Sequence, residues 1–194
     1  DGLEEDRKAC KQKIYDFNQL PPSRQSKEAP QMIKNIFGKT GENVWVEAPF
    51  HCDYGWNIEV GENFYSNYNL TILDVGKVTC GKNVQIAPNV SIYTAGHPVH
   101  PDSRNSGYEY GIPVTVGDNV WIGGNTVILP GVTVGSNVVI GAGSVVSKDI
   151  PDNTIAAGNP CKVIREITDE DRIYYFKKQK FDDEAWEEVK NKNK

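Results

Sequence analysis

Between Val114 and Val146 one aliphatic residue returns every six positions, at Val116, Ile122, Ile128, Val134, Ile140 and Val146. Two residues before each stands a small or β-branched residue: Val114, Val120, Thr126, Val132, Val138 or Ser144. An α-helix cannot exploit that period, because a residue six positions on is turned about 120° away from the face it should share. A single antiparallel sheet would need a hairpin turn between every pair of repeats. Six residues with one pair of inward side chains instead describe a short strand followed by a corner. Three such units close a coil of about eighteen residues, and coils of that kind stack as a parallel β-solenoid.

The corners have their own signature, Gly-x-Asn followed by Val or Phe. It occurs at Gly41-Glu42-Asn43-Val44, Gly61-Glu62-Asn63-Phe64, Gly81-Lys82-Asn83-Val84, Gly117-Asp118-Asn119-Val120 and Gly135-Ser136-Asn137-Val138. Gly and Asn are the residues that tolerate left-handed backbone angles. The successive spacings of 20, 20, 36 and 18 residues read as bulged coils, one interrupted coil and a regular one. The interruption falls in "YTAGHPVHPDSRNSGYEYGIP", rich in Gly, Pro and aromatics, so residues 93–113 are expected to form a loop thrown out of the coil. Long loops in compact folds are usually functional or disordered.

The segments flanking the solenoid follow other patterns. Leu3, Cys10, Ile14 and Phe17 recur at helical spacing, and Met32, Ile33, Ile36 and Phe37 form a second stripe after the break at "LPPSR". Two short helices over 1–40 are therefore expected to dock on the solenoid, which occupies 41–165. Pro151 and Pro160 end the regular pattern. Residues 166–194 are expected to cap the far end, with Thr168 as a helix N-cap and Tyr174, Tyr175, Phe176 and Trp186 available for packing.

The formal net charge of −5 disfavours a broad nucleic-acid surface. No apolar run reaches membrane-spanning length. The cysteines, Cys10, Cys52, Cys80 and Cys161, are scattered without metal or disulfide spacing, which fits a reduced, cytoplasmic setting.

His97, in "TAGHPVH", is held between Gly96 and Pro98 on the expected loop. It reads either as a surface histidine or as a general base, since imidazole titrates nearest neutrality. His100 either supports the loop or, with His97 and His51, ligates zinc. Asn67 and Asp74, in "NYNLTILD", and Asp53, in "HCDYGWNI", are corner residues or polar contacts for a hydroxylated ligand. Trp121, Gly123, Gly124 and Ala142 lie on successive coils, where small residues either fit tight corners or admit a thin ligand close to backbone. Ser147, Lys148, Lys162 and Arg165 are a solvated rim or an anion site.

The hexapeptide period, "NYNLTILD", "GHPVH" and "AAGNPCKVIREI" together resemble the maltose and galactoside O-acetyltransferases, a family of hexapeptide-repeat, left-handed β-helix acyltransferases. Left-handedness comes from this resemblance alone, since parallel crossovers are ordinarily right-handed. The resemblance implies acetyl-CoA as cosubstrate, a sugar or glycoside acceptor, no metal, and a homotrimer with active sites between subunits. It makes His97 the general base of a direct transfer. It places Asn67 near the reacting groups and Asp53, Asn67 and Asp74 toward the acceptor. Trp121, Gly124, Ala142, Ser147, Lys148, Lys162 and Arg165 fall on coenzyme A. Two positions depart from the galactoside pattern: Val75 replaces an acidic residue and Gly124 replaces a serine. A γ-class carbonic anhydrase-like zinc enzyme, which shares the solenoid, and a non-catalytic scaffold are the alternative readings.

Overall fold

A computed structural model describes residues 2–193. Each six-residue unit supplies one short strand, and strands one coil apart pair in parallel. Three sheets result. The first contains Val44–Val46, Phe64–Ser66, Gln85–Ile86, Trp121–Ile122, Val139–Ile140 and Thr154–Ala157. The second contains Phe50–Cys52, Leu70–Leu73, Ser91–Tyr93, Val127–Ile128 and Val145–Val146. The third contains Ile58–Val60, Val78–Cys80, Val114–Val116 and Thr133–Val134. Both members of every expected inward pair are buried, including the polar Thr126 and Ser144. The stacked isoleucines, each burying a side chain worth about 1.5–3 kcal/mol, form one continuous core.

The corner before the first sheet is held by an asparagine ladder. Asn43, Asn63, Asn83, Asn119 and Asn137 each donate through Nδ2 to the Oδ1 of the next asparagine, ending on Asn153, at 2.8–3.0 Å. Asn63, Asn83, Asn119, Asn137 and Asn153 have φ of 56–58°. The asparagine of the Gly-x-Asn signature therefore carries the left-handed angle. Its glycine is needed for a different reason: a Cβ on Gly117 would lie 2.8 Å from the backbone carbon of Gly135 in the next coil.

The coils depart from eighteen residues mainly at the corner between the second and third sheets. Phe50 to Ile58 and Leu70 to Val78 span eight residues instead of six. Val90 to Val114 spans twenty-four, a multiple of six, so the hexapeptide phase runs straight through the insertion. Tyr93 still pairs with Leu73 and Thr94 is buried, so the loop leaves the coil after Thr94 rather than at residue 93.

Helix α1 (Gly2–Asn18) buries Cys10, Ile14 and Phe17, and helix α2 (Pro22–Ile36) buries Ala29, Ile33 and Ile36. Leu3, expected on the same stripe, is exposed. Phe37 meets Phe50 and Phe64 edge-on at 5.5 and 6.5 Å, which plugs the open end of the core. Asn18 closes the strand edge by donating to the Phe50 carbonyl and accepting from its N–H, both at 2.9 Å.

The opposite end is closed earlier than expected. Ile150 bridges Val134, the Cys161 N–H donates to Val145, and Lys162–Glu166 pairs antiparallel with Thr154–Ala157. Residues beyond Glu166 project from this end. Thr168 starts a 3-10 helix, Asp169–Ile173, and a hairpin of Tyr174–Phe176 with Gln179–Lys180 leads to a helix, Asp183–Lys192, that buries nothing. Its aromatics pack mainly on one another, with Phe181 between Tyr175 and Trp186. Among the described residues no helix is long and apolar enough to cross a membrane.

Candidate active site at two corners of the solenoid

The bulged corner between the second and third sheets needs partners for its extra backbone groups, and Asp74 supplies them. Its buried carboxylate accepts from the N–H groups of Asp53 (2.8 Å), Tyr54 (3.0 Å) and Gly55 (2.7 Å), one coil earlier. Burial raises the Asp74 pKa, and these three bonds oppose the shift. An acceptor contact was expected at Asp74. With no exposed surface and both oxygens committed, it reaches the site only through the backbone it holds.

Asp53 itself is half-buried and faces Arg7 of α1, with Nε 3.6 Å from Oδ1. The Arg7 guanidinium lies 5.0 Å from the Tyr54 ring centroid. The Arg7 Nε is buried and makes no hydrogen bond among the described residues. Arg7 was not singled out from the sequence. Its spacing gives a usable signal, since Arg7, Cys10 and Ile14 follow one another at i, i+3 and i+7 on one face of α1.

The extruded loop leaves from this same corner. Ala95–Gly96 pairs antiparallel with Tyr110–Gly111, and a short helix, α3 (Pro101–Asn105), braces the tip. Arg104 donates to the carbonyls of Pro98 (3.2 Å) and Val99 (2.8 Å). His97 is exposed, and its Nδ1 lies 3.1 Å from the Tyr108 carbonyl. A carbonyl only accepts, so this contact requires the proton on Nδ1 and selects the neutral tautomer whose Nε2 is the acceptor. His100 Nδ1 accepts from the Asp102 N–H at the start of α3, which is the loop-supporting role. His51 lies on the outer face of the second sheet, opposite Thr71. Among the described residues no three His, Cys, Asp or Glu side chains are grouped to hold a metal ion.

The corner between the first and second sheets carries the second group. Asn67, Ala87, Gly123 and Gly141 stack in one column, each N–H bonded to a carbonyl of the next coil at 2.8–2.9 Å. Pro88, Gly124 and Ala142 stand one residue further along. Any Cβ on Gly123 would lie 2.5 Å from the Ala142 nitrogen, and one on Gly124 would lie 3.2 Å from the Pro88 carbonyl oxygen. The column is thus a shallow track with backbone at its floor, flanked by the exposed Trp121 ring. At its head, Asn67 Oδ1 accepts from the Tyr68 N–H at 2.7 Å, while its Nδ2 makes no hydrogen bond among the described residues.

Lys162 and Arg165 lie at the foot of the first sheet, opposite Ala157 and Ile155. Arg165 is not a free cation: it grips Asp171 through two bonds of 2.7 and 2.8 Å. That contact holds the Asp171 carboxyl at a pKa of about 2. Ser147 and Lys148 are exposed at the other corner, after Val145–Val146. One chain therefore keeps His97, Asp53, Ser147 and Lys148 on one edge and Asn67, Trp121, Gly124 and Ala142 on another. The second sheet separates them.

A hexapeptide-repeat solenoid with a histidine loop at one corner and a small-residue track at another defines a transferase class. Residues 113–148 match the family model for the bacterial transferase hexapeptide (six repeats), and residues 1–41 match the maltose acetyltransferase hexapeptide capping motif. The chain is 54% identical over 180 residues to the galactoside O-acetyltransferase of Escherichia coli K12, covering 93% of this chain and 88% of that protein. A solved galactoside acetyltransferase in complex with coenzyme A superposes with a TM-score of 0.91 at 53% identity, covering 94% of this chain and 90% of that one. A maltose O-acetyltransferase from Clostridium difficile 630 gives 0.84 at 53% identity, covering 86% and 89%. The chain belongs to the maltose and galactoside O-acetyltransferase family of hexapeptide-repeat acetyltransferases.

Proposed function

We propose that the protein transfers the acetyl group of acetyl-CoA to a hydroxyl of a sugar or glycoside, with His97 as general base. The observation that carries this reading is the His97–Tyr108 contact, which occupies Nδ1 and turns Nε2 into the acceptor nitrogen of the neutral ring on an exposed loop. Nε2 takes the proton of the acceptor hydroxyl as its oxygen attacks the thioester carbonyl. The tetrahedral intermediate collapses with cleavage of the C–S bond, and the imidazolium returns its proton to the departing thiolate. No acyl-enzyme forms. The free Nδ2 of Asn67 is suited to donate to the acceptor or to the oxyanion, which matters more with glycine at position 124.

The small-residue track beside Trp121 fits an extended pantetheine arm, since the small residues along it, Ala87, Gly123, Gly124, Gly141 and Ala142, leave backbone open to a thin ligand. Lys162 and Arg165 then meet the nucleotide end, and Ser147 and Lys148 approach from the opposite edge. Asp53, braced by Asp74 and facing Arg7, offers a carboxylate to sugar hydroxyls. The two half-sites lie on different corners of one chain. A homotrimer, with each histidine loop against a neighbour's track, brings them together. The four free thiols suit a reducing compartment such as the cytoplasm.

Thiol release from acetyl-CoA against a panel of sugars and glycosides tests the reading. Acceptor-dependent release that falls about 10²–10⁴-fold in His97→Ala is expected. Full turnover by that variant would remove His97 from the mechanism. Sedimentation should give a trimer, and a monomer at working concentration contradicts the shared site.

A further inference from the structure

Cys10 and Cys52 are forty-two residues apart in sequence, yet their sulfurs lie 3.7 Å apart. They were scattered cysteines to the sequence; the docking of α1 on the first coil makes them a pair. Both are buried, at 4% and 8% exposure, and neither is oxidised. Cys52 also lines a cavity of about 800 Å³ between α1 and the second sheet, with Ile14, Tyr15, Pro49 and His51 among its walls. This cavity gives a small oxidant a route to Cys52, whose sulfur lies 3.7 Å from that of Cys10. The hydrogen bond from the Cys52 thiol favours the Cys10 thiolate, so Cys10 ionises first.

The pair sits behind the acceptor corner. Arg7 precedes Cys10 by three residues on α1, Asp53 directly follows Cys52, and Arg7 and Asp53 face each other across the same gap.

We propose that Cys10 and Cys52 form a peroxide-sensitive dithiol whose oxidation to a disulfide ties α1 to the first coil and resets the Arg7–Asp53 spacing. The Cys10 thiolate attacks one oxygen of hydrogen peroxide and breaks the O–O bond. Hydroxide leaves and is protonated to water, and Cys10 becomes a sulfenic acid. The Cys52 sulfur then attacks the sulfenic sulfur, the S–S bond forms, and the hydroxyl departs as a second water. Two thiols are oxidised by two electrons, and one peroxide is reduced to two waters. An S–S bond is about 2.05 Å, so the sulfurs approach by roughly 1.7 Å through rotation about their Cα–Cβ bonds and a small shift of α1. The effect on the acceptor rests on the reading of Asp53 as an acceptor contact.

The test treats the intact protein with a slight excess of hydrogen peroxide, then alkylates it under denaturing conditions. A 2 Da loss is expected, with two alkylated thiols instead of four and the Cys10 and Cys52 peptides linked. The acceptor KM should rise at least threefold and that of acetyl-CoA should stay constant, both restored by dithiothreitol. Cys10→Ala and Cys52→Ala should each abolish the mass loss and the KM shift. Four free thiols after treatment, or indiscriminate oxidation of all four cysteines, overturns the proposal. A disulfide that forms without moving the acceptor KM overturns its regulatory part. The mass readout needs no acetyl transfer, so an error in the assigned reaction would show separately.

Discussion

The Asp74 carboxylate accepts a hydrogen bond from the Asp53 N–H, one coil earlier, at 2.8 Å. Through this bond and its companions to Tyr54 and Gly55, a residue with no exposed surface sets the backbone of one that faces solvent. Asp74→Asn keeps one acceptor oxygen but turns an N–H₂ group toward backbone donors. A loss of about 2–3 kcal/mol in unfolding free energy is expected, with the acceptor KM raised more than that of acetyl-CoA. Urea denaturation beside steady-state kinetics measures both. An unchanged midpoint would mean that the corner holds itself.

The asparagine ladder separates two contributions at Asn119, a left-handed backbone angle and two side-chain bonds. Asn119→Ala loses both and should cost about 2–4 kcal/mol. Asn119→Gly relieves the backbone part and should cost about 1–2 kcal/mol. Equal denaturation midpoints for the two variants would show that the amide bonds dominate.

Asp171 makes the stability of the C-terminal projection acid-sensitive. Its folded pKa of about 2 lies below that of an unfolded aspartate, so its pairing with Arg165 adds stability at pH values above about 4. That contribution is lost as the pH falls from about 4 through 2. The stability difference between wild type and Asp171→Asn should therefore be constant above pH 5 and vanish near pH 2. A difference persisting at pH 2 would contradict the pairing.

Arg165 is also the residue whose expected role conflicts with its observed partner. If it serves the nucleotide end of coenzyme A, Arg165→Ala should raise the acetyl-CoA KM about tenfold or more, the scale of one charge-assisted bond. Asp171→Asn frees the guanidinium and should lower that KM. The same KM in all three proteins would place coenzyme A elsewhere.

Arg104 ties the loop beyond His97 to itself through the Pro98 and Val99 carbonyls. Arg104→Ala should lower kcat about tenfold or more with little change in either KM, because a base displaced by an ångström loses alignment before binding is lost. Circular dichroism and sedimentation should stay as in wild type.

The coils were legible because burial imposes a strict period: each inward pair from Val114 to Val146 is buried as read. The loop was legible from its Gly, Pro and aromatic content; the phase conceals it, since Val114 lies a multiple of six beyond Val90. The burial of Asp74 was not legible. Nothing local marks a carboxylate whose partners, the N–H groups at 53–55, lie a full coil away. Spacing puts Arg7 on the same face of α1 as Cys10 and Ile14, but its pairing with Asp53 and the Cys10–Cys52 contact depend on how α1 docks, which residue spacing within either element cannot give. The Asp171 partner of Arg165 belongs to a projection that lies beyond the repeat altogether.

The concentration of surplus residues at a single corner has a consequence for how such chains change. Height along the stack is counted at the asparagine corner, rung by rung, and that count is indifferent to chain paid out at the corner between the second and third sheets. Two extra residues there, or the eighteen that carry His97, leave every rung level. The histidine-bearing segment is in effect a cassette on a fixed mast, free to be lengthened, exchanged or removed while the scaffold below it keeps its register.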